Sequence, residues 1–596
     1  MGVARDLLNR VFGFGAFRPG QEAIVNSVVA GEDVLAVMPT GSGKSLCYQL
    51  PALMRGGFTV VASPLIALMR DQVAQLRALG IEAGSLNSSN DADETSRVFN
   101  ALNDGRLKLL YAAPERLVRS DTIDLLSRCG VATLAIDEAH CVSQWGHDFR
   151  PEYLALGEVR QALGVQTIAF TATADAGTRA DIVERLFAAP PRVFVGGFDR
   201  PNLRLAMRPK AGGFKQLMGF VEPHRGDCGI IYCSSRARTE TLAEQLAGEG
   251  LRALPYHAGL DKRVRDANQD AFLAEDGMVM AATVAFGMGI DKPDVRFVCH
   301  ADLPKNIEAY YQEIGRAGRD GLPADTLTLY GLDDIKLRRL QIEQAQSSDE
   351  QKRVERQRLN ALLSLCEAPR CRRQTLLSYF GEGGSEPCGN CDLCIEGVEA
   401  FDGTTEAQKV MSAILRTGQR FGTEHLVNIL TGTETDAVRQ YGHDALPTFG
   451  VGRDRDRNAW RSIFRQLYAA GLVTMDITDH GQWMLTEPGS EVLRGRARIE
   501  LRSDVLVPKV SKRKARTERF ADSAADPDLL ASLKTLRQKL AKAEGVPAYV
   551  VFADRTLIEL AARRPRTLAD MQAIHGIGER KLARYGQVFL EAVLAG

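Results

Sequence analysis

The chain has 596 residues, more than one hydrophobic core holds, so three to five domains are expected. Hydrophobic residues make up 45% and charged residues 25%, the balance of ordinary globular domains, and no apolar run is long enough to span a bilayer. Lys plus Arg and Asp plus Glu number 75 each, so net charge does not point to a polyanionic partner and local charge must be read instead. The N-terminus carries Arg5 and Asp6 and lacks an apolar signal core, and Asp6 breaks the myristoylation pattern after Gly2. The expected compartment is the cytosol, with no membrane partner.

From residue 34 to about 173, short apolar runs alternate with amphipathic stretches. Residues 34–38 read as a buried strand, and residues 46–54 as the start of a helix. Further strands are expected at 59–62, 107–111, 133–136 and 166–170. This alternation predicts a parallel sheet covered by helices. Pro190-Pro191 and Gly196-Gly197 interrupt it. A second block from 228 to 330, with strands near 229–233, 279–282 and 295–300, predicts a second lobe and a cleft between the two. A charged helical stretch at 336–363 leads to a cysteine cluster. Residues 404–500 mix short helices with a hairpin (473–477 and 482–485, tip Asp479-His480-Gly481), the pattern of a winged helix. Basic residues from Lys509 to Arg519 mark a linker, and residues 528–595 read as helical. The domain boundaries that follow are 1–200, 201–335, 336–403, 404–507, a linker at 508–526, and 527–596.

The segment Thr40-Gly41-Ser42-Gly43-Lys44-Ser45, between a strand and a helix, is a phosphate cradle. Its glycines let backbone N–H groups close around phosphate oxygens at a helix N-terminus. Lys44 would reach the β- and γ-phosphates of ATP and Ser45 would ligate Mg2+. The strict pattern places a glycine at Met38, and a Gly/Ser turn with a solvated lysine would look similar in isolation. A second signal decides between them. The strand at 133–136 ends in Asp137-Glu138-Ala139-His140, which supplies a magnesium-binding acid, Asp137, and an acid to orient or deprotonate water, Glu138. In the second block, Arg316 and Arg319 stand three apart in Gly315-Arg316-Ala317-Gly318-Arg319 and can neutralise charge developing on a γ-phosphate. The loop Ser143-Gln144-Trp145-Gly146-His147-Asp148-Phe149-Arg150-Pro151-Glu152-Tyr153 is aromatic and basic without helix or strand period. Rings such as Trp145 and Phe149 stack on unpaired bases, and Arg150 adds phosphate or cation–π contact. Finally, Cys371, Cys388, Cys391 and Cys394 can supply four thiolates to one tetrahedral site. Zinc suits a closed site, and an iron–sulfur cluster fits the spacing as well. The other seven cysteines are scattered and read as buried free thiols.

Together these segments resemble superfamily-2 helicases, and most closely the RecQ family of DNA helicases. Phe17-Arg18-Pro19-Gly20-Gln21 resembles the family's adenine-reading motif, which implies that Gln21 reads the base with Arg18 and Phe14 beside it. Residues 63–72, Ala113-Pro114-Glu115-Arg116, Phe170-Thr171-Ala172-Thr173-Ala174, residues 231–236 and residues 285–292 match further motifs of the two lobes. Met38 is shared with this superfamily. The resemblance implies that Arg319 is the arginine finger, with Arg316 beside it. It also implies that Trp145, His147, Phe149 and Arg150 belong to a DNA-sensing loop and that the four cysteines bind structural zinc. The implied architecture is multidomain α/β: two RecA-like parallel-sheet lobes, a zinc-binding subdomain, a winged-helix domain and a small all-α HRDC bundle. Residues 574–581 look like a helix–hairpin–helix turn that could bind phosphate through its amides and Lys581. Tyr549, near Lys542 and Arg555, is a candidate single-strand contact. In the winged helix, Thr423, Arg457, Arg461 and Arg465 are candidate phosphate contacts.

The implied activity is ATP-dependent, 3′-to-5′ unwinding of DNA that serves recombination, repair, fork processing and an SOS-type damage response in a nucleoid-associated cytoplasmic protein. Its implied partners are single-stranded and duplex DNA in tailed, forked or junction form, and single-strand-binding and topoisomerase proteins. An RNA-remodelling ATPase is the rival that the zinc cluster, winged helix and C-terminal bundle argue against. A DNA-binding scaffold with a dead ATP site is the rival that the full set of catalytic residues argues against.

Overall fold

The computed structural model describes residues 2–87, 90–143, 149–172, 176–286, 291–383, 386–398, 400–476, 482–503 and 525–595. Within the first block, seven short strands form one sheet: β1 (Val34–Val37), β2 (Phe58–Ala62), β3 (Ala83–Leu86), β4 (Leu109–Ala112), β5 (Val131–Ile136), β6 (Gln166–Thr171) and β7 (Arg192–Val195). Their order is β3-β4-β2-β5-β6-β1-β7 and each neighbouring pair is parallel. Parallel strands need both faces covered, which is why β1, β2 and β4 are buried along their whole length. The phosphate loop follows β1 and the Asp137-Glu138 pair follows β5, so both open at the carboxyl end of the sheet, where α/β folds bind ligands.

The second block repeats the plan. Strands β8 (Leu203–Pro209), β9 (Cys228–Tyr232), β10 (Arg252–Tyr256), β11 (Met278–Ala282), β12 (Val295–His300) and β13 (Ala324–Tyr330) form a parallel sheet ordered β10-β11-β9-β12-β13-β8. Strands β3, β7, β8, β10 and β13 were not among the expected ones. The segment between the proline and glycine pairs, expected only to interrupt the pattern, contains β7, which pairs with β1 at the sheet edge.

The cysteine-bearing module is fastened to the second lobe by buried charge. Arg372, fully buried, donates to Asp392 at 2.6 Å and to the carbonyls of Leu365, Cys366 and Met207. Asp392 in turn accepts from the Met207 amide of β8 at 3.0 Å and pairs with Arg208 at 3.2 Å. The same module grips the segment between the lobes. Glu382 accepts from the Phe198 amide at 3.1 Å, Arg373 donates to Asp199 at 3.0 Å, Asn390 donates to the Pro201 carbonyl at 2.9 Å, and Phe380 stacks on Phe198 at 4.7 Å.

The winged-helix region packs the helices Thr404–Arg416, Thr423–Thr431 and Arg457–Ala469 around Trp460 and Trp483, both fully buried. The expected hairpin is present as antiparallel strands Val473–Asp476 and Gln482–Leu485; its tip lies outside the described residues, as does most of the basic linker. A strap pairing Ala400–Asp402 with Glu500–Arg502 closes the module. The C-terminal bundle spans five helices from Pro527 to Ala595 around Leu533, Phe552, Leu557, Leu560 and Phe589.

Arg465 does not reach toward phosphates. It is 8% exposed and donates to Glu367 at 2.9 Å, and Glu367 also pairs with Arg502 at 3.2 Å. Arg457 and Arg461 share the carboxylate of Glu424 at the surface, and Thr423 accepts from the Trp483 indole at 3.0 Å. Glu367 therefore carries the junction between the winged helix and the helix Asp349–Cys366. Removing one partner of such a buried cluster costs about 3–5 kcal/mol. Glu367→Gln should accordingly move the unfolding transition seen by Trp460 and Trp483 fluorescence to lower urea; a loss under about 1 kcal/mol would contradict this account of the junction.

Candidate active site and metal centre

In the phosphate loop, Gly41 and Gly43 have φ of 80° and 83°, the left-handed region that glycine occupies without strain. Thr40 is buried, and the Ser42 hydroxyl donates to the Pro39 carbonyl at 2.7 Å, which fixes the turn. Gln21, 2% exposed, holds the loop from the other side. Its amide donates to the Ser42 and Gly43 carbonyls at 2.9 and 3.1 Å and accepts from the Arg18 amide at 2.8 Å. Both ends of the side chain expected to read adenine are thus engaged within the chain. Arg18 donates to the Gly41 carbonyl and, at 3.3 Å, to the Arg319 carbonyl. The Phe14 ring lies beside that motif, 5.4 Å from the ring of His575.

Asp137 sits at the end of β5, 8% exposed. Burial, with the Glu138 carboxylate next to it, pushes its pKa up to about 7 against the pull of the Lys44 ammonium. A carboxyl held reluctant to ionise in this way is favoured as an anion once a cation is beside it. Glu138 has φ 50° and ψ 46°, an uncommon conformation for a non-glycine residue. Such positions cost about 1–3 kcal/mol and gather at functional sites. Among the described residues its Oε2 is buried without a hydrogen-bond partner, with His140 Nδ1 3.4 Å away. His140 also contacts the Thr171 hydroxyl at 2.9 Å, and the Met38 amide donates to the Thr171 carbonyl. The acids, the end of β6 and Met38, between β1 and the phosphate loop, are therefore one connected unit.

The second lobe reaches the same place. Gly315 lies so close to the loop that a Cβ on it would stand 2.9 Å from the Thr40 side chain. Arg319 packs against Gly41 and is ion-paired with Asp291. Arg316 is 3% exposed, and among the described residues the Nε atoms of Arg316 and Arg319 are buried without hydrogen-bond partners. Two orphaned guanidinium donors and the orphaned Glu138 oxygen, set around a glycine loop with Lys44 and Ser45, fit a magnesium-bound nucleoside triphosphate. Sequence reasoning missed Arg200, which bridges the two lobes through carbonyls. It stands in a segment with no periodicity, and only its place between the two α/β blocks could have drawn attention to it.

Of the expected nucleic-acid residues, Trp145 and His147 lie outside the described residues. Phe149 is 36% exposed, and Arg150 donates to the Pro64 carbonyl at 3.3 Å. Directly after them, buried Tyr153 donates to the Asp137 carbonyl at 3.0 Å, so the end of the aromatic segment is tied to the first of the paired acids. Tyr549 is not presented as a free contact. It is 8% exposed and donates to Asp71 at 3.0 Å. The glycine hairpin near Lys581 is likewise docked, with the Gly576 amide donating to the Gly13 carbonyl of lobe 1.

The ligand sulfurs of Cys371, Cys388, Cys391 and Cys394 all lie within 4.8 Å of one another. A tetrahedron with zinc–sulfur bonds of about 2.3 Å has sulfurs about 3.8 Å apart, so the set fits one ion. The Cys388 and Asn390 amides each donate to a cluster sulfur at 3.4 Å. Burial pushes the Cys388 and Cys391 thiols up, so a cation is what would favour those two as thiolates.

Family profiles match along the chain in this order: DEAD/DEAH box helicase at residues 18–182, helicase conserved C-terminal domain at 212–321, RecQ zinc-binding at 332–395, RQC domain at 397–510 and HRDC domain at 526–593. The chain is 44% identical to the ATP-dependent DNA helicase RecQ of Pasteurella multocida over 99% of this chain and 93% of that one. It is 43% identical to the protein of that name from Haemophilus influenzae, over 99% and 96%. The Bacillus subtilis protein of that name is 37% identical over 99% and 98%. These profiles and the cysteine geometry support structural zinc. One zinc per chain is expected by atomic absorption, with no iron–sulfur chromophore, and Cys391→Ala should lose the metal; iron in place of zinc would overturn the assignment.

Proposed function

Because the chain belongs to the RecQ family of ATP-dependent DNA helicases, we propose that its two lobes hydrolyse ATP in their shared cleft and draw single-stranded DNA across themselves in the 3′-to-5′ direction, unwinding the duplex ahead. The observation that carries this reading is the meeting of Thr40–Ser45, Asp137, Glu138 and Arg319 from two separate sheets at one cleft. Lys44 holds the β- and γ-phosphates, and Ser45 and Asp137 hold magnesium, which when bound neutralises phosphate charge. Glu138 orients water and accepts its proton. Arg319, with Arg316 behind it, leaves Asp291 for the γ-phosphate as charge builds there. Phe14, Arg18 and Gln21 form the base side of the pocket, Gln21 exchanging its contacts with the loop for the base edge.

DNA reaches this site through the segment after His140. Phe149 is exposed for stacking while Tyr153 is bonded to the Asp137 carbonyl, so a strand seated on the rings bears directly on the acids. With the winged helix holding duplex, the protein acts on tailed, forked or junction DNA in recombination, repair, replication-fork processing and an SOS-type response, at the nucleoid and alongside single-strand-binding and topoisomerase proteins.

Lys44→Ala should abolish ATP hydrolysis and unwinding while leaving single-strand binding within about two-fold, since uniform binding and transition-state stabilisation are separable. Unwinding of a 3′-tailed against a 5′-tailed duplex by the wild-type chain tests the polarity. Preference for the 5′ tail would reverse it, and hydrolysis persisting in Lys44→Ala would remove the mechanism.

A further inference from the structure

The C-terminal bundle lies across both lobes. On lobe 1 its hairpin meets backbone directly: the Gly576 amide donates to the Gly13 carbonyl at 2.8 Å, and a Cβ on Gly13 would stand 2.7 Å from the Gly578 nitrogen. On lobe 2 the Asp276 carboxylate accepts from Arg537 at 3.1 Å and from Gln538 at 2.7 Å. Tyr549 occupies the junction of all three bodies. Its hydroxyl donates to Asp71 of lobe 1 at 3.0 Å, and the Lys292 ammonium of lobe 2 stands 5.8 Å from its ring centre.

A short chain of contacts leads from this junction to the nucleotide cleft. Gln72, the residue after Asp71, donates to Asp291 Oδ2 at 3.1 Å, and Asp291 Oδ1 holds Arg319. Asp71 and Asp291 are also close enough to repel. Burial and the Asp291 charge push Asp71 up to about 7, while the Tyr549 and Gln75 hydrogen bonds and Arg70 act the other way. The Tyr549 hydroxyl thus lets two carboxylates share one buried corner, and one of the two restrains the finger.

We propose that Tyr549 is a positioning residue for ATP hydrolysis that acts from the C-terminal bundle: while the bundle is docked, its hydroxyl on Asp71 keeps Asp291 placed to hold Arg319 in an ion pair, so the arginine is withheld from phosphate until the bundle lifts. The bundle is then an intramolecular brake on the cleft rather than only a DNA-binding appendage. The proposal rests on Arg319 being the residue that meets the γ-phosphate.

Two full-length variants release the latch in different ways. Tyr549→Phe keeps the ring and its packing and removes only the hydroxyl. Gly578→Ala adds a methyl 2.9 Å from the carbonyl oxygens of Arg10 and Val11, both in lobe 1, so its clash falls on the docked interface. ATP hydrolysis without DNA should rise at least about five-fold in kcat in both, the low end of ordinary coupling between sites, with KM for ATP within about two-fold and a smaller stimulation by single-stranded DNA. A role in packing alone predicts wild-type kcat for Tyr549→Phe, and that result sinks the proposal, as does a fall in kcat in both variants. Arg319→Ala separates the two assignments: if it still hydrolyses ATP, the finger assignment fails and the latch with it; if it is inactive while both latch variants match wild type, only the latch fails.

Discussion

One guanidinium holds the cleft together. Arg200 donates to the Thr40 carbonyl of the phosphate loop at 2.6 Å and to the Gly315, Ala317 and Gly318 carbonyls of the second lobe at 3.4, 3.0 and 2.9 Å. Only arginine carries enough donors in a fixed plane to serve both sides at once. Burial and the neighbouring Arg319 and Arg18 charges lower its pKa to about 10, partly offset by Tyr311, so it stays charged at neutral pH. It therefore adds to Lys44, Arg18, Arg316 and Arg319 in a cleft whose acids are Asp137, Glu138 and Asp291, while Asp320 nearby is paired with Arg296. A polyanion is the complement to such a site, which is why neutral overall charge is compatible with tight phosphate binding.

The modules beyond the lobes differ in what they hold. The zinc-bearing module is fixed to β8 and to the interlobe segment, and the winged helix is fixed to it through Glu367. The C-terminal bundle alone spans the cleft. Its contacts with lobe 1 include glycine-to-glycine backbone approach and the Tyr549–Asp71 hydrogen bond, and its contacts with lobe 2 include a partly exposed acid, Asp276, and Lys292 over the Tyr549 ring. The Arg537–Asp276 pair is only partly desolvated, on its Asp276 side, in contrast to the Arg372–Asp392 anchorage, where both partners are fully desolvated.

Central strands were legible because a parallel strand buried on both faces is an unbroken apolar run, as in Val34–Val37 and Leu109–Ala112. Four of the five strands not anticipated, β3, β7, β8 and β10, are sheet edges. Ala-Gly-Ser-Leu in β3 has little apolar content, β7 leaves Val193 and Val195 about half exposed, and β10 contains Pro255, so pairing with a neighbour distant in sequence, and not the local pattern, makes them strands. The site was more legible than the sheet edges, since glycines, paired acids and spaced cysteines carry their chemistry in the residues themselves. What escaped was relational. Neither Arg200 as a strut nor Tyr549 as a buried contact follows from a side chain's type; each depends on which surface the tertiary structure sets against it.

The anchorage of the zinc module has a consequence for force. Because Arg372, Asp392 and Glu382 tie that module both to β8 and to the chain just after Gly196-Gly197, and Glu367 ties the winged helix to it, the second lobe, the cysteine module and the winged helix are fastened to one another. Under the proposed function, a duplex held by the winged helix would be coupled to the second lobe through this anchorage. On that reading each cleft movement would reach the strand junction as displacement instead of being absorbed by a compliant tether, and the buried charges around the cysteine module would set how much is lost.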